Sequence, residues 1–269
     1  MIAAASPAEA GFGGPVGFGE VALALLLVAV ALAVSRWRQV GLESDLAVAT
    51  VRSFVQLLAV GYALDFVFRG RGGFTVMVLA VMVITAALTS GGRAAGVPDA
   101  RPIAAASISV AAAATLGVLL ALGIVPMTSR VVVPLGSMII SSAMNTTSLV
   151  MGRLRQDLAA NRREVEARLA LGQPGRQAAR PWQRLALRTG MLPTVDQTKV
   201  VGLVALPGAM TGMILAGASP LAAIRLQMLV MYMLLGGNAF AAVVSGELTL
   251  RRLFTADHQL IRTLRRTQQ

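Results

Sequence analysis

Polar and sulfur-bearing side chains sit inside runs that are otherwise apolar, and theirs is the chemistry to be explained. Arg52 and Gln56 stand four apart in one run and share a helical face. Another run carries Ser137, Ser141, Ser142, Asn145, Thr146, Thr147 and Ser148, with Ser137, Ser141 and Ser148 along one side. Met210 and Met213 are three apart, and Met228, Met231 and Met233 follow beside Gln227. Polar groups inside a membrane span are costly and usually face the bundle interior. Arg52, Gln56, Asn145 and Gln227, with Met210 and Met213, are therefore candidates for a translocation pathway. Each has a plainer reading. Arg52 can snorkel to the inner surface, small hydroxyl residues let helices approach closely, and Met fills apolar cores. Thioethers suit Cu(I) while Fe(II) prefers nitrogen and oxygen, so this ligand chemistry does not by itself point to iron, and no metal ligand is assigned.

Absent residues exclude several chemistries. A P-loop requires a Gly-Lys pair to hold phosphate, and the only lysine, Lys199, follows Thr198, so the chain cannot hydrolyse ATP itself. The only histidine, His258, lies in the basic tail, which excludes H-E-x-x-H and an intramembrane Ser–His dyad. There is no cysteine, hence no disulfide framework or thiolate metal site. Midspan carboxylates are also missing from the expected spans: Asp65 and Glu247 fall near span ends, and Asp196 falls in the approach to the sixth span. That disfavours an ion-coupled secondary transporter, which needs buried titratable groups or broken helices around a midplane site.

The elements that must position these residues are membrane helices. The chain has 269 residues, 56% hydrophobic and only 13% charged, with a mean hydropathy of +0.72; a soluble domain carries about 25% charged residues. Its net charge of +12 does not indicate nucleic acid, because aromatics are few and no polar domain exists. Seven runs are long enough to cross a bilayer, which takes about 20 apolar residues. They are Val16–Val34, Leu46–Phe68, Phe74–Ser90, Ile103–Val125, Val131–Met151, Val200–Ala218 and Leu221–Leu248. With the N-terminus outside and the C-terminus in the cytoplasm, 19 of the 24 Lys and Arg fall on the inner side and 4 on the outer, with Arg52 inside a span, as the positive-inside rule favours. The expected fold is all-α: a single polytopic permease-like domain of seven transmembrane helices in the cell membrane, with a long cytoplasmic segment at 152–199.

That segment has two helical patterns. Val165 and Leu169 share a face in the first, and Glu164 can pair with Arg168. Gly172 can close this helix in the left-handed conformation, and Pro174 blocks its return. The second begins near Pro181, with Trp182, Leu185 and Met191 apolar and Arg184 and Arg188 basic; Pro193 and Asp196 prepare the sixth span. Three roles fit such helices: lying on the lipid headgroups, capping the spans, or seating in a partner's groove. Periodicity does not decide among them.

The stretch Glu166-Ala167-Arg168-Leu169-Ala170-Leu171-Gly172 resembles the EAA-x-x-x-G coupling motif of ABC-transporter permeases, with Arg168 at the third position. More specifically, the chain resembles the FetB-type permease family, associated with iron export. The carrying residues include Arg52 to Leu57, Glu164 to Glu166, Leu192-Pro193-Thr194-Val195-Asp196, Val201 to Gly208, Met210-Thr211-Gly212, Ile214 to Gly217, Ser219-Pro220 and Arg251 to Thr255. The resemblance implies that Glu164, Glu166, Ala167, Leu171, Gly172, Leu192 and Pro193 couple to an ABC-type ATP-binding subunit. It also implies a homodimer of the permease in membrane lipid, with ATP and Mg on the partner ATPase and no cofactor on this chain. By residue type alone, Pro207 frees backbone groups that could line a cavity or form a hinge with Gly208 and Gly212, whose spacing equally suits close helix packing. Metal export serving metal homeostasis is the implied function. A non-iron cargo, an ion-coupled secondary transporter and a non-transporting scaffold are the alternatives.

Overall fold

The computed structural model describes residues 17–39, 41–69, 73–255 and 259–261; the N-terminal tail, His258 and the last arginines lie outside them. The described chain is helical: α1 (Phe18–Trp37), α2 (Glu43–Arg69), α3 (Gly73–Arg93), α4 (Ala100–Ala121), α5 (Ser129–Ala160), α6 (Arg162–Ala170), α7 (Gly175–Ala178), α8 (Arg180–Val200), α9 (Gly208–Leu215) and α10 (Pro220–Leu253).

Five of these are long and apolar enough on their own to cross a membrane: α1, α2, α3, α4 and α10. The expected fifth span lies within α5, which has the length. Its seven hydroxyl and amide side chains between Ser137 and Ser148 dilute its apolar character. The expected sixth span is not one helix. α8 continues through Pro193 to Val200, a tight turn occupies 201–205 with Gly202 at φ +84°, and α9 has eight residues. Eight residues rise only about 12 Å, too short to cross a bilayer.

The chain forms two compact units. In the first, α1 and α2 make a helical hairpin whose connection is tied by the Ser35 hydroxyl, donating to Glu43 at 3.0 Å and accepting the Leu42 amide at 3.3 Å. Leu27, Trp37, Leu57 and Tyr62 on this hairpin are exposed. This unit also holds α9 and the first turns of α10.

The second unit spans 72–206 and 227–269 and has two cores. In the first, α3, α4, α5 and α10 interleave small and branched residues, among them Ala104, Ile108, Ala111, Ile139, Ala143 and Met233. Small residues let helix backbones approach, which supplies packing where lipid gives no hydrophobic drive. In the second, Leu154 and Leu158 of α5, Val165 of α6, Trp182 and Ala186 of α8, and Leu250 and Leu253 of α10 are all buried. Beyond the expected inner boundary at Met151, α5 therefore extends to pack against the segment expected to couple.

α8 runs antiparallel to both α5 and α10. Trp182 and Ala186 lie with Leu154, Leu158 and Leu250. A Cβ on Gly246 would meet Leu187, and one on Gly190 would meet Val150 and the Thr146 carbonyl. Thr194 then reaches Asn238 of α10, which also bonds Ser142 of α5. Glycine at 190 is what permits this approach: no larger side chain fits against Val150. A proline in a helix interior costs about 3 kcal/mol. Contacts on both sides of Pro193 hold α8 continuous despite it.

Candidate functional site

α6 is anchored by Val165, with Leu169 packed beside it and Arg168 over the Trp182 ring, and turns its other face outward. Val165 is fully buried, while Glu164, Ala167 and Leu171 are exposed, Leu171 at 81%. Glu164 pairs with Arg168 at 2.8 Å, as the spacing predicts, and Glu166 pairs with Arg162 at 2.8 Å. Gly172 has φ +86°, and the Gln173 amide reaches back to the Arg168 carbonyl at 3.2 Å, closing the helix as expected. Asn161, Arg162, Arg163, Glu164 and Glu166 line an open cavity of about 640 Å³ at the start of α6.

Trp182 is not at a lipid interface but in the second core, 8% exposed, with the Arg168 guanidinium 5.2 Å above its ring. α7 is fastened to the end of α10: Arg176 pairs with Glu247 at 2.8 Å, Glu247 also accepts from Arg251, and the Phe254 ring lies against Gly175. Force applied to α6 therefore reaches α5, α8 and α10 through one packed body.

Among the residues expected to couple, Glu164, Glu166, Ala167, Leu171 and Gly172 cluster on and after α6. Leu192 and Pro193 do not join them. They lie on α8 between Gly190 and Thr194, beside the bundle formed by α5 and α10. The expected coupling segment and the expected sixth span are thus joined in one helix. Continuous helical pairing from Arg180 to Val200 was masked in the sequence by Pro193 and by the charges around it.

The candidate pathway residues are dispersed. Arg52 and Gln56 are exposed on α2. Asn145 is exposed on α5 and accepts from Arg93 at 2.9 Å. Gln227 is 5% exposed, and its side-chain oxygen has no partner. Met210 and Met213 are half-buried on α9, and Met231 and Met233 are buried on α10. Pro207 starts α9, and the Cβ positions of Gly208 and Gly212 meet no atom within 4 Å. Of the serine row, Ser148 packs on Ser90 of α3 at 3.0 Å, while Ser137 and Ser141 bond their own helix.

Sequence reasoning missed a polar cluster formed by Asn238, Thr194 and Ser142. Asn238 is 1% exposed; it donates to the Ser142 hydroxyl at 2.8 Å and to the Thr194 hydroxyl, leaving its carbonyl oxygen unpartnered. A lone Asn in a long apolar run was the available signal. Asp196, two residues on and therefore on the opposite side of α8 from Thr194, is 62% exposed and pairs with Lys199 at 3.2 Å. Among the described residues, no group of three or more His, Cys, Asp or Glu could hold a metal ion.

Comparison with known proteins agrees with a membrane permease. The chain is 39% identical to the rice "UPF0014 membrane protein STAR2" over 91% of its length and 86% of that protein. It is 37% identical to the Arabidopsis thaliana "Protein ALUMINUM SENSITIVE 3", over 91% of its length and 90% of the relative. It is 33% identical to the Escherichia coli "Probable iron export permease protein FetB", over 91% and 95% of the two chains. No solved structure matches. With residues 18–254 matching its model, the chain belongs to the family described as "Uncharacterised protein family (UPF0014)", the family of these membrane proteins.

Proposed function

We propose that this protein is the membrane-spanning permease subunit of an ABC exporter, moving a metal cation out of the cell with energy from a separate ATPase. One observation carries the reading. α6 turns one face outward and is built through Val165 into the same packed core as α8, a continuous helix about 31 Å long whose Thr194 meets the middle of α10. An ATPase seated on Glu164, Ala167 and Leu171 would move α8 as a rigid lever, the kind of rigid-body switch that couples domain closure to a transmembrane site. The reading takes seven crossings, with the N-terminus outside and two copies forming the pathway. Iron is the first cargo to test, from the name of the Escherichia coli relative; the Arabidopsis relative's name makes aluminium the second.

The alternative reading is an ion-coupled secondary transporter, which would need titratable groups around a midplane site. Reconstitution separates the two. Vanadate-sensitive ATP hydrolysis by a co-purified ATPase, stimulated by metal and lost on Gly172 substitution, supports the exporter. Gradient-driven flux without ATP overturns it in favour of the second reading.

A further inference from the structure

α4 and α10 run antiparallel in one register. Asp99 pairs with Arg252 at 3.2 Å, Ile103 and Leu248 line one cavity, and a Cβ on Gly237 would meet the Thr115 hydroxyl. Both helices are long and apolar enough to cross a membrane. Their shared end is therefore where two spans leave the hydrocarbon, and it is basic. Arg101 stands in the first turn of α4, and Arg251 and Arg252 stand in the last turn of α10.

The cavity at this end measures about 360 Å³ and is lined by Asp99, Pro102, Ile103, Leu248, Arg251 and Arg252. Its lining is half apolar, from the span side, and half charged, from the helix ends. Glu247 approaches Arg251 at Nε, 2.9 Å away, and Asp99 approaches Arg252 at Nε, 3.2 Å away. A guanidinium carries five N–H donors, so neither acid exhausts its arginine. The two arginine side chains remain 62% and 61% exposed. Asp99 is left-handed at φ +53°, and its carboxylate turns to Arg252 instead of capping α4. The positive end of the α4 dipole is thus left uncapped beside the two guanidinium groups. From Pro102, the exposed face of α4 continues into the span as Ala106, Val110 and Ala113, with no charge along it.

We propose that this end of α4 and α10 binds an anionic phospholipid, its phosphate on Arg251 and Arg252 and an acyl chain along Ala106, Val110 and Ala113. Planar guanidinium groups match phosphate oxygens two at a time, and basic pockets between membrane helices suit lipid head groups. The apolar half of the lining separates a lipid from free phosphate, to which it offers nothing. Glu247 also holds Arg176 of α7, so a lipid on Arg251 bears on the acid that fastens α7. The site goes beyond the permease reading: it needs α4 and α10 in a membrane and does not need the ATPase.

The chain has no cysteine, so Ala106→Cys gives a single point for a fluorescent label. The labelled full chain is placed in phosphatidylcholine nanodiscs containing a fixed small fraction of doxyl-labelled lipid, either phosphatidylglycerol or phosphatidylcholine, and quenching is compared. Phosphatidylglycerol should quench roughly fivefold more effectively, the effect of one guanidinium near a membrane surface. The preference should vanish in Arg251→Gln with Arg252→Gln. Asp99→Asn, which the left-handed backbone accepts, removes the competing acid and should raise the preference roughly two- to fivefold. Unchanged blue-shifted emission from buried Trp182, read without the label, shows that the variants are folded. A label at Leu27→Cys on α1, where the side chain is exposed, should show no preference. Equal quenching by the two lipids at position 106 overturns the site, as does a preference that survives loss of both arginines or fails to rise in Asp99→Asn. Relief of the quenching by soluble glycerol phosphate assigns the cavity to a free anion and overturns the lipid. Loss of the preference with cargo-stimulated ATP hydrolysis intact sinks the site and leaves the permease; the preference without any associating ATPase leaves the site and sinks the exporter.

Discussion

The side-chain amide of Asn238, halfway along α10, donates to the hydroxyl of Thr194 on α8. It donates to Ser142 on α5 as well, so three helices share one buried polar contact. Asn238→Leu removes both donors and leaves two hydroxyls facing an apolar side chain. The expected loss is about 1–2 kcal/mol, seen as a lower Tm in detergent. An unchanged Tm would mean that the contact does not hold α8 in place.

Gly190 admits the close passage of α8 over α5. A Cβ there would lie 2.4 Å from Val150 Cγ2, on a buried stretch with no slack. Gly190→Val should destabilise by about 1–3 kcal/mol through overpacking. The same closeness makes Gly190→Cys with Val150→Cys suitable for a disulfide, which needs Cβ atoms about 3.5–4.5 Å apart. Since the chain has no cysteine, any oxidant-dependent crosslink on a non-reducing gel reports this pair alone. Failure to crosslink would refute the α5–α8 register.

Trp182 joins the coupling segment to the helices that leave it. Replacing it with Ala should cost about 3 kcal/mol by opening a cavity in the second core. The only other tryptophan, Trp37, is 77% exposed. Loss of Trp182 should therefore remove the blue-shifted part of the emission spectrum, and ATPase stimulation by cargo should fall with it.

Leu171 is exposed at the end of α6, so changing it should spare the fold. Leu171→Asp is expected to leave Tm within about 0.5 kcal/mol of the parent, as surface changes do. It should cut recovery of the ATPase in co-purification at least several-fold. Retained recovery would remove α6 from the docking face.

The Arg176–Glu247 pair, with Arg176 68% exposed, should matter little to stability. Glu247→Gln is expected to cost about 0–1 kcal/mol, less at high salt. Its effect should appear instead in coupling: ATP hydrolysis continuing with reduced export in vesicles.

Much of the outline is legible in the residues. Apolar runs of bilayer length mark α1 to α4 and α10, because a helix is the way a lone segment satisfies its backbone in lipid. Gly172 marks the end of α6, because a residue without Cβ adopts φ +86° without strain. The Glu164–Arg168 pair follows from spacing alone.

Where α8 belongs was not legible. Pro193, Asp196 and Lys199 are local signals of a loop, and by local propensity a loop is what they describe. Only packing on both sides, with Gly190 against α5 and Thr194 on Asn238, makes a continuous helix the lower-energy state. Sequence alone thus determined that the chain crosses a membrane many times and carries a long basic segment with helical patterns. Tertiary structure alone decided that the segment packs as one helix along α5 and α10, with Thr194 at Asn238. Hydropathy and turn preference are properties of neighbouring residues, whereas the packing of a helix depends on partners distant in the chain.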